Sequence, residues 1–146
     1  MTQLFADGYE FGRGLSHRIK RWRELSEKSV APLGIPLGEF RVLVSLSESG
    51  PRAMVELAKD QMVTQAAITG IVDNLEKLGL AARERSETDR RVVRVSITKK
   101  GEDEVRKGQR LYQKFIEKST SQISASELND MLKTLDRMLR AAEDSL

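Results

Sequence analysis

The chain has 146 residues, 39% hydrophobic and 32% charged, with a formal net charge of +3, no Cys and a single His. That apolar content suffices for one domain with a core of its own, while the missing thiols exclude disulfides, cysteine-based oxidant sensing and thiolate metal sites. With only one imidazole, no Gly-rich phosphate loop, no nucleophile elbow and no metal-ligand cluster, neither a catalyst nor a metal or cofactor protein is expected. No apolar run approaches the roughly 20 residues of a membrane span, and the first residues lack the apolar core of a secretory signal, so the expected compartment is the cytoplasm, with no membrane partner.

Residues 8–30 carry Phe11, Leu15, Ile19, Trp22 and Leu25 at helical spacing, and Pro32, Gly34 and Pro36 interrupt the pattern. This first helix is basic in the run Arg18-Ile-Lys-Arg-Trp-Arg23. Residues 37–49 predict a second helix through Phe40, Leu43 and Val44, stopped by Gly50-Pro51. Residues 54–61 predict a short third through Leu57 and Ala58, with Met62-Val63 as the turn into the next.

Thr64 to Thr98 is the most informative stretch. A helix is expected from an N-cap at Thr64 to a stop at Gly79, with Ile68, Ile71, Val72, Leu75 and Leu78 on one buried face. The opposite face is small and polar, carrying Thr64, Gln65, Ala66, Thr69, Gly70 and Asp73. An ordinary solvated face would hold Glu and Lys, which appear only late, at Glu76 and Lys77. Gln can bond the adenine edge in two places and Thr can offer hydroxyl or methyl, so these residue types suit contact with base edges.

After Leu80 the period becomes two, with Val93, Val95 and Ile97 on one strand face, and residues 82–86 are the expected antiparallel partner. Glu87-Thr88-Asp89-Arg90 supplies turn formers without Gly, which predicts a four-residue loop. On strand parity Asp89 and Arg91 share a side and can pair, leaving Arg90 projecting opposite. From Arg83 to Lys100 there are seven basic and three acidic residues, a local charge of +4 that exceeds that of the whole chain. Arg83, Arg85, Arg90 and Arg91 therefore concentrate positive field on a ribbon beside the polar helix, as phosphate binding requires.

Thr98 is the expected N-cap of a long helix bearing Val105, Tyr112, Phe115 and Ile116, ended by the Ser and Thr cluster at 119–124. Ser124-Ala-Ser-Glu127 fits a capping box, and behind it Leu128, Met131, Leu132, Leu135, Met138, Leu139 and Ala142 form a broad stripe. Each buried Leu or Met is worth about 1.5–3 kcal/mol, so a terminal helix gains by covering such a stripe, on its own core or on a second copy. A second copy is the favoured cover, in a homodimer built on Leu128, Leu132, Leu135, Met138 and Leu139 with Phe11 and Leu15 of the first helix.

Thr64-Gln65, Thr69, Val72, Leu75, Gly79-Leu80 and Arg83, followed by Asp89-Arg90-Arg91, Val95, Thr98 and Gly101, resemble the MarR (multiple antibiotic resistance regulator) winged-helix transcription factors. The resemblance implies a mainly α fold with a small β-wing. A winged helix-turn-helix at 37–100 would be flanked by helical dimerisation regions at 8–30 and 102–145, all within one domain over 1–146. It implies a recognition helix in the major groove and a wing arginine in the minor groove of double-stranded DNA. Gly70 departs from relatives that place a larger polar or basic side chain there, at a cost of about 1 kcal/mol against Ala in mid-helix. Relatives often bind aromatic acids where the first helices meet the DNA-binding lobe. By position the counterparts for a small aromatic or anionic effector are His17, Lys20, Arg21, Trp22, Leu37 and Arg41, with Leu37 standing where some relatives have a ligand-contacting Tyr. The expected function is an effector-responsive repressor on a pseudo-palindromic operator; the alternative is a winged-helix protein-interaction module that reads no DNA.

Overall fold

Pro32 and Gly34 break the first helical run, and Gly50-Pro51 the second, so the chain begins as helices of fixed length. The structure, a computed structural model, describes residues 8–146. Helix α1 is Gly8–Val30, followed by a single 3-10 turn at Ala31–Leu33 and by α2, Leu37–Ser49. Strand β1, Arg52–Ala53, leads into α3, Met54–Asp60, and α4, Gln65–Lys77. Strands β2, Ala81–Arg85, and β3, Val93–Ile97, precede α5, Lys99–Ser119, and α6, Ala125–Asp144. The fold is mainly helical with a small antiparallel wing, as expected.

The chain divides into two compact units. One spans Met1–Tyr112, of which residues 8–112 are described, and the other is Gln113–Leu146. In the first, α2, α3, α4, the sheet and the start of α5 enclose a core around Leu43, Leu46, Leu57, Ile68, Val72, Leu75, Val95 and Val105. The apolar stripe of α4 faces inward through Ile68, Val72 and Leu75, which leaves its polar side outside. Only Ser26 and Val30 of α1 are buried. Ile19, Trp22 and Leu25 remain exposed.

The sheet has the order β1-β3-β2, all antiparallel, with Arg83 opposite Val95 and Ala53 opposite Arg94. Two details differ from the sequence reading. Strand β2 begins and ends one residue earlier, because Leu80 is buried and its N–H turns back to Leu75 O at 2.9 Å. Gly79, at φ 71°, donates to Glu76 O at 2.9 Å. Together these bonds form a Schellman stop that launches the strand directly at Ala81. Strand β1 was not anticipated; two residues are too few to show a period of two.

The beginning of α5 closes over the end of α4. Thr98 accepts from Gly101 N at 3.1 Å as an N-cap, and it also donates through its hydroxyl to Gly79 O at 2.7 Å and through its N–H to Leu80 O at 3.0 Å. Lys100 Nζ donates to Leu78 O at 2.9 Å. Three carbonyls at and just beyond the end of α4 are thereby satisfied. A Cβ at Gly101 would lie 2.2 Å from Leu80 O, so only glycine allows this approach.

In the second unit, Ser124 and Glu127 form the expected capping box, with Glu127 N donating to Ser124 Oγ at 3.2 Å and Ser124 N to Glu127 Oε2 at 2.8 Å. The Ser124 N–H and then its hydroxyl hold the Glu127 carboxyl below the usual carboxylate range. This cap is complete above the ordinary Glu range and is lost as falling pH protonates Glu127. No residue of α6 is buried. Met131, Leu132 and Leu139 are 54, 56 and 61% exposed, whereas Leu128, Leu135 and Met138 are half-buried, so the stripe is only partly covered on the single chain.

Gly101→Ala forces a methyl against the Leu80 carbonyl and is expected to destabilise the first unit by about 1–3 kcal/mol, the usual cost of overpacking. Urea unfolding followed by Trp22 fluorescence measures it; an unchanged midpoint would show that the joint relaxes freely.

Candidate nucleic-acid interface

Thr64 caps α4 by accepting from Ala67 N at 3.1 Å, so that hydroxyl is committed to the helix. Gln65, Ala66, Thr69 and Gly70 follow on the exposed side, near the N-terminal end of α4. Thr69 donates its hydroxyl proton to Gln65 O at 2.8 Å and keeps its lone pairs and methyl outward-facing in chemistry. Gly70 has nothing within 4 Å of where a side chain would begin.

Asp73 and Arg83, both expected at this surface, are each other's partners. Arg83 Nη1 lies 2.8 Å from Asp73 Oδ1 and pairs with the Glu76 carboxylate, and the Arg83 N–H reaches Glu76 Oε2 at 3.4 Å. Partial burial disfavours the Arg83 charge, but hydrogen bonds to the two carboxylates outweigh it and raise its pKa. The guanidinium therefore ties the first wing strand to the C-terminal half of α4.

The wing tip is organised by Asp89. Its Oδ1 accepts from the Arg91 backbone N–H at 3.0 Å, and its carbonyl accepts from Val92 N at 3.0 Å. Asp89 thus orders the turn through the Arg91 main chain, where strand parity had suggested the guanidinium. Ser86 N donates to Val92 O at 3.0 Å, so the ladder continues past the strands and five residues, 87–91, cross the tip instead of four. Arg85, Arg90 and Arg91 are exposed and make no ion pair among the described residues. Arg52 differs, being held by Asp60 at 2.7 Å and Glu56 at 3.5 Å.

A groove of about 760 Å³ opens between α1, α2 and α5. It collects three of the six expected effector residues, Trp22, Leu37 and Arg41. His17 instead borders a separate shallow depression with Glu10, Arg13 and Gly14. Lys20 and Arg21 line neither, and Arg21 stands 4.0 Å from Glu24. The groove adds Arg23, Ser26, Phe40 and Tyr112, which sequence reasoning missed. Ser26 is only 5% exposed, and its hydroxyl has no hydrogen-bond partner among the described residues. A serine on a helix announces nothing in sequence; its orphaned hydroxyl is visible only once α1 packs. Among the described residues no group of carboxylates and imidazoles could hold a metal ion.

A buried apolar stripe behind an exposed polar helix face, beside a two-stranded wing with unpaired arginines at its tip, defines a winged-helix DNA-binding module. Residues 35–93 match the model of the MarR family. The transcriptional regulator BldR from Sulfolobus solfataricus superposes with a TM-score of 0.79 at 27% identity, over 97% of this chain and 99% of that one. A cysteine-to-serine mutant of MarR from E. coli, solved in complex with operator DNA, gives 0.82 at 26% identity over 94% and 99%. A probable transcriptional regulator from Pseudomonas aeruginosa gives 0.76 at 25% over 87% and 95%. Over residues 35–93 the chain is similar to the MarR family, and with these structures it is a winged-helix, DNA-binding transcriptional regulator.

Arg83→Met is expected to weaken operator binding by loosening the wing, with the slope of log affinity against log salt unchanged. Loss of a phosphate contact would instead reduce that slope by about 0.9. Fluorescence anisotropy at several salt concentrations separates the two, and a slope reduced by that amount would make Arg83 a phosphate ligand.

Proposed function

We propose that this protein is an effector-responsive repressor that binds a pseudo-palindromic operator in the cytoplasm as a homodimer. Helix α4 enters the major groove and the wing tip the minor groove. The observation that carries this reading is the division of cations: Arg52 and Arg83 are consumed by internal pairs, whereas Arg85, Arg90 and Arg91 stand free beside a neutral polar helix face. Free cations can release counterions from DNA; paired ones gain less by doing so.

The dimer is supported by Met131, Leu132 and Leu139 of the α6 stripe, which are exposed in the single chain. Two half-sites one helical turn apart require two recognition helices related by a two-fold axis. The effector site is supported by the groove at Trp22, Leu37 and Arg41. There Arg23 and Arg41 make no ion pair among the described residues, and the buried Ser26 hydroxyl lacks a partner. An apolar wall with spare guanidiniums and an orphaned hydroxyl suits a small aromatic or otherwise apolar anion.

Gel shifts with DNA upstream of the chain's own gene, titrated with salt, test the whole reading. Arg90→Ala or Arg91→Ala is expected to weaken binding strongly and to flatten the salt slope by about one unit, with dimer and fold intact. Unchanged affinity in both variants would remove the wing from the interface. Leu135→Glu places a charge in the α6 stripe, where burial without a partner is costly, and is expected to yield monomers by light scattering. A variant that stays dimeric would show that this face is not the subunit contact.

A further inference from the structure

Recognition helices address base edges mainly through their N-terminal residues. On the exposed face of α4 these are Gln65, Ala66, Thr69 and Gly70, and the first cation, Lys77, comes only in the last turn. Guanine is read in the major groove chiefly by Arg or Lys bonding O6 and N7 together. That instrument is missing where the bases would lie. Cytosine is read by a carboxylate accepting from N4, and the two carboxylates on this face, Asp73 and Glu76, are both held by Arg83.

The remaining groups share a bias. The Gln65 amide has no hydrogen bond among the described residues, so both its donor and its acceptor are available to the N7 and N6 edge of adenine. Thr69 has spent its proton on Gln65 O, and what it can offer outward is a methyl and lone pairs. Ala66 offers a methyl alone. Methyl groups on a closely approaching helix suit the C5-methyl of thymine, and the empty space at Gly70 permits that approach.

The geometry points to a recognition helix that reads A·T pairs and no guanine: Gln65 takes adenine, and the Ala66 and Thr69 methyls take thymine methyls. This rests on the major-groove reading above and names the base pairs that reading would select. The test is selection of binding sites by the full-length protein from random duplex DNA, repeated with Gln65→Ala, followed by anisotropy titrations on the selected site. A·T is expected at the positions whose preference Gln65→Ala erases, with a loss of about 5- to 150-fold on the selected site. Replacing thymine by deoxyuridine at neighbouring positions removes only the methyl and is expected to cost about fourfold for each contact. A G·C pair selected at the Gln65 position, or affinity indifferent to deoxyuridine, overturns the proposal while leaving a major-groove reader standing. Binding to DNA without any enriched sequence overturns the proposal and the base-reading role of α4 together. Failure to bind any DNA overturns the proposed function itself.

Discussion

The corner at which α4 ends, β2 begins and α5 starts is the constraint on which the rest of the DNA-binding unit depends. A helix terminus leaves carbonyls without partners; an exposed one can turn to water, whereas a buried one left unsatisfied would cost about 1–3 kcal/mol, as at buried Leu80. Leu78, Gly79 and Leu80 give theirs to Lys100, Thr98 and Thr98 again. Because Gly101 brings α5 onto the Leu80 carbonyl, α5 cannot shift along this joint without breaking those bonds. Farther along, Gly108 lies so close to Phe40 of α2 that a Cβ there would fall 2.2 Å from the ring. Helix α5 is thus seated by glycine at two points, once on the wing's base and once on the wall of the groove.

The ion pairs act on the same geometry. Exposed pairs contribute little stability, typically about 0–1 kcal/mol, and the Arg83 cluster is no exception in kind. What it does is directional: one guanidinium bonded to two carboxylates a helical turn apart sets the angle between β2 and α4. Arg52 does the same for β1 and α3 through Glu56 and Asp60. The basic residues divide into struts and free cations, and only the second group can respond to a polyanion without dismantling something.

Much of this was legible in the chain because it is periodic. The span of α1 and α2, the stripe of α4 at Ile68, Val72 and Leu75, the stop at Gly79 and the caps at Thr64, Thr98 and Ser124 all follow from spacing and local hydrogen-bond chemistry. What stayed hidden is non-local. That Arg83 meets Asp73 and Glu76 depends on how β2 returns past α4, and a count of basic residues treats it like Arg90. The two-residue β1 exists only because β3 offers it an edge at Arg94 and Val95. Trp22, Leu37 and Arg41 converge while Lys20 and Arg21 do not, because α1 turns one side to the groove and neighbouring residues on a helix point about 100° apart.

On the proposed reading, affinity and specificity reside in different elements. The free wing arginines carry the charge, so their contribution falls steeply with salt and is indifferent to sequence. Helix α4 is neutral over its first turns, so it adds little to non-specific attachment and spends its contacts on amide edges and methyls. A regulator arranged this way is released from DNA most readily by moving the wing, since a shift that costs two phosphate contacts loosens every site alike. The groove and the end of α4 meet the same helix, α5, through Tyr112 on one side and Thr98 and Lys100 on the other. A ligand that altered the seat of α5 would therefore act at the corner where α4 ends and the wing begins.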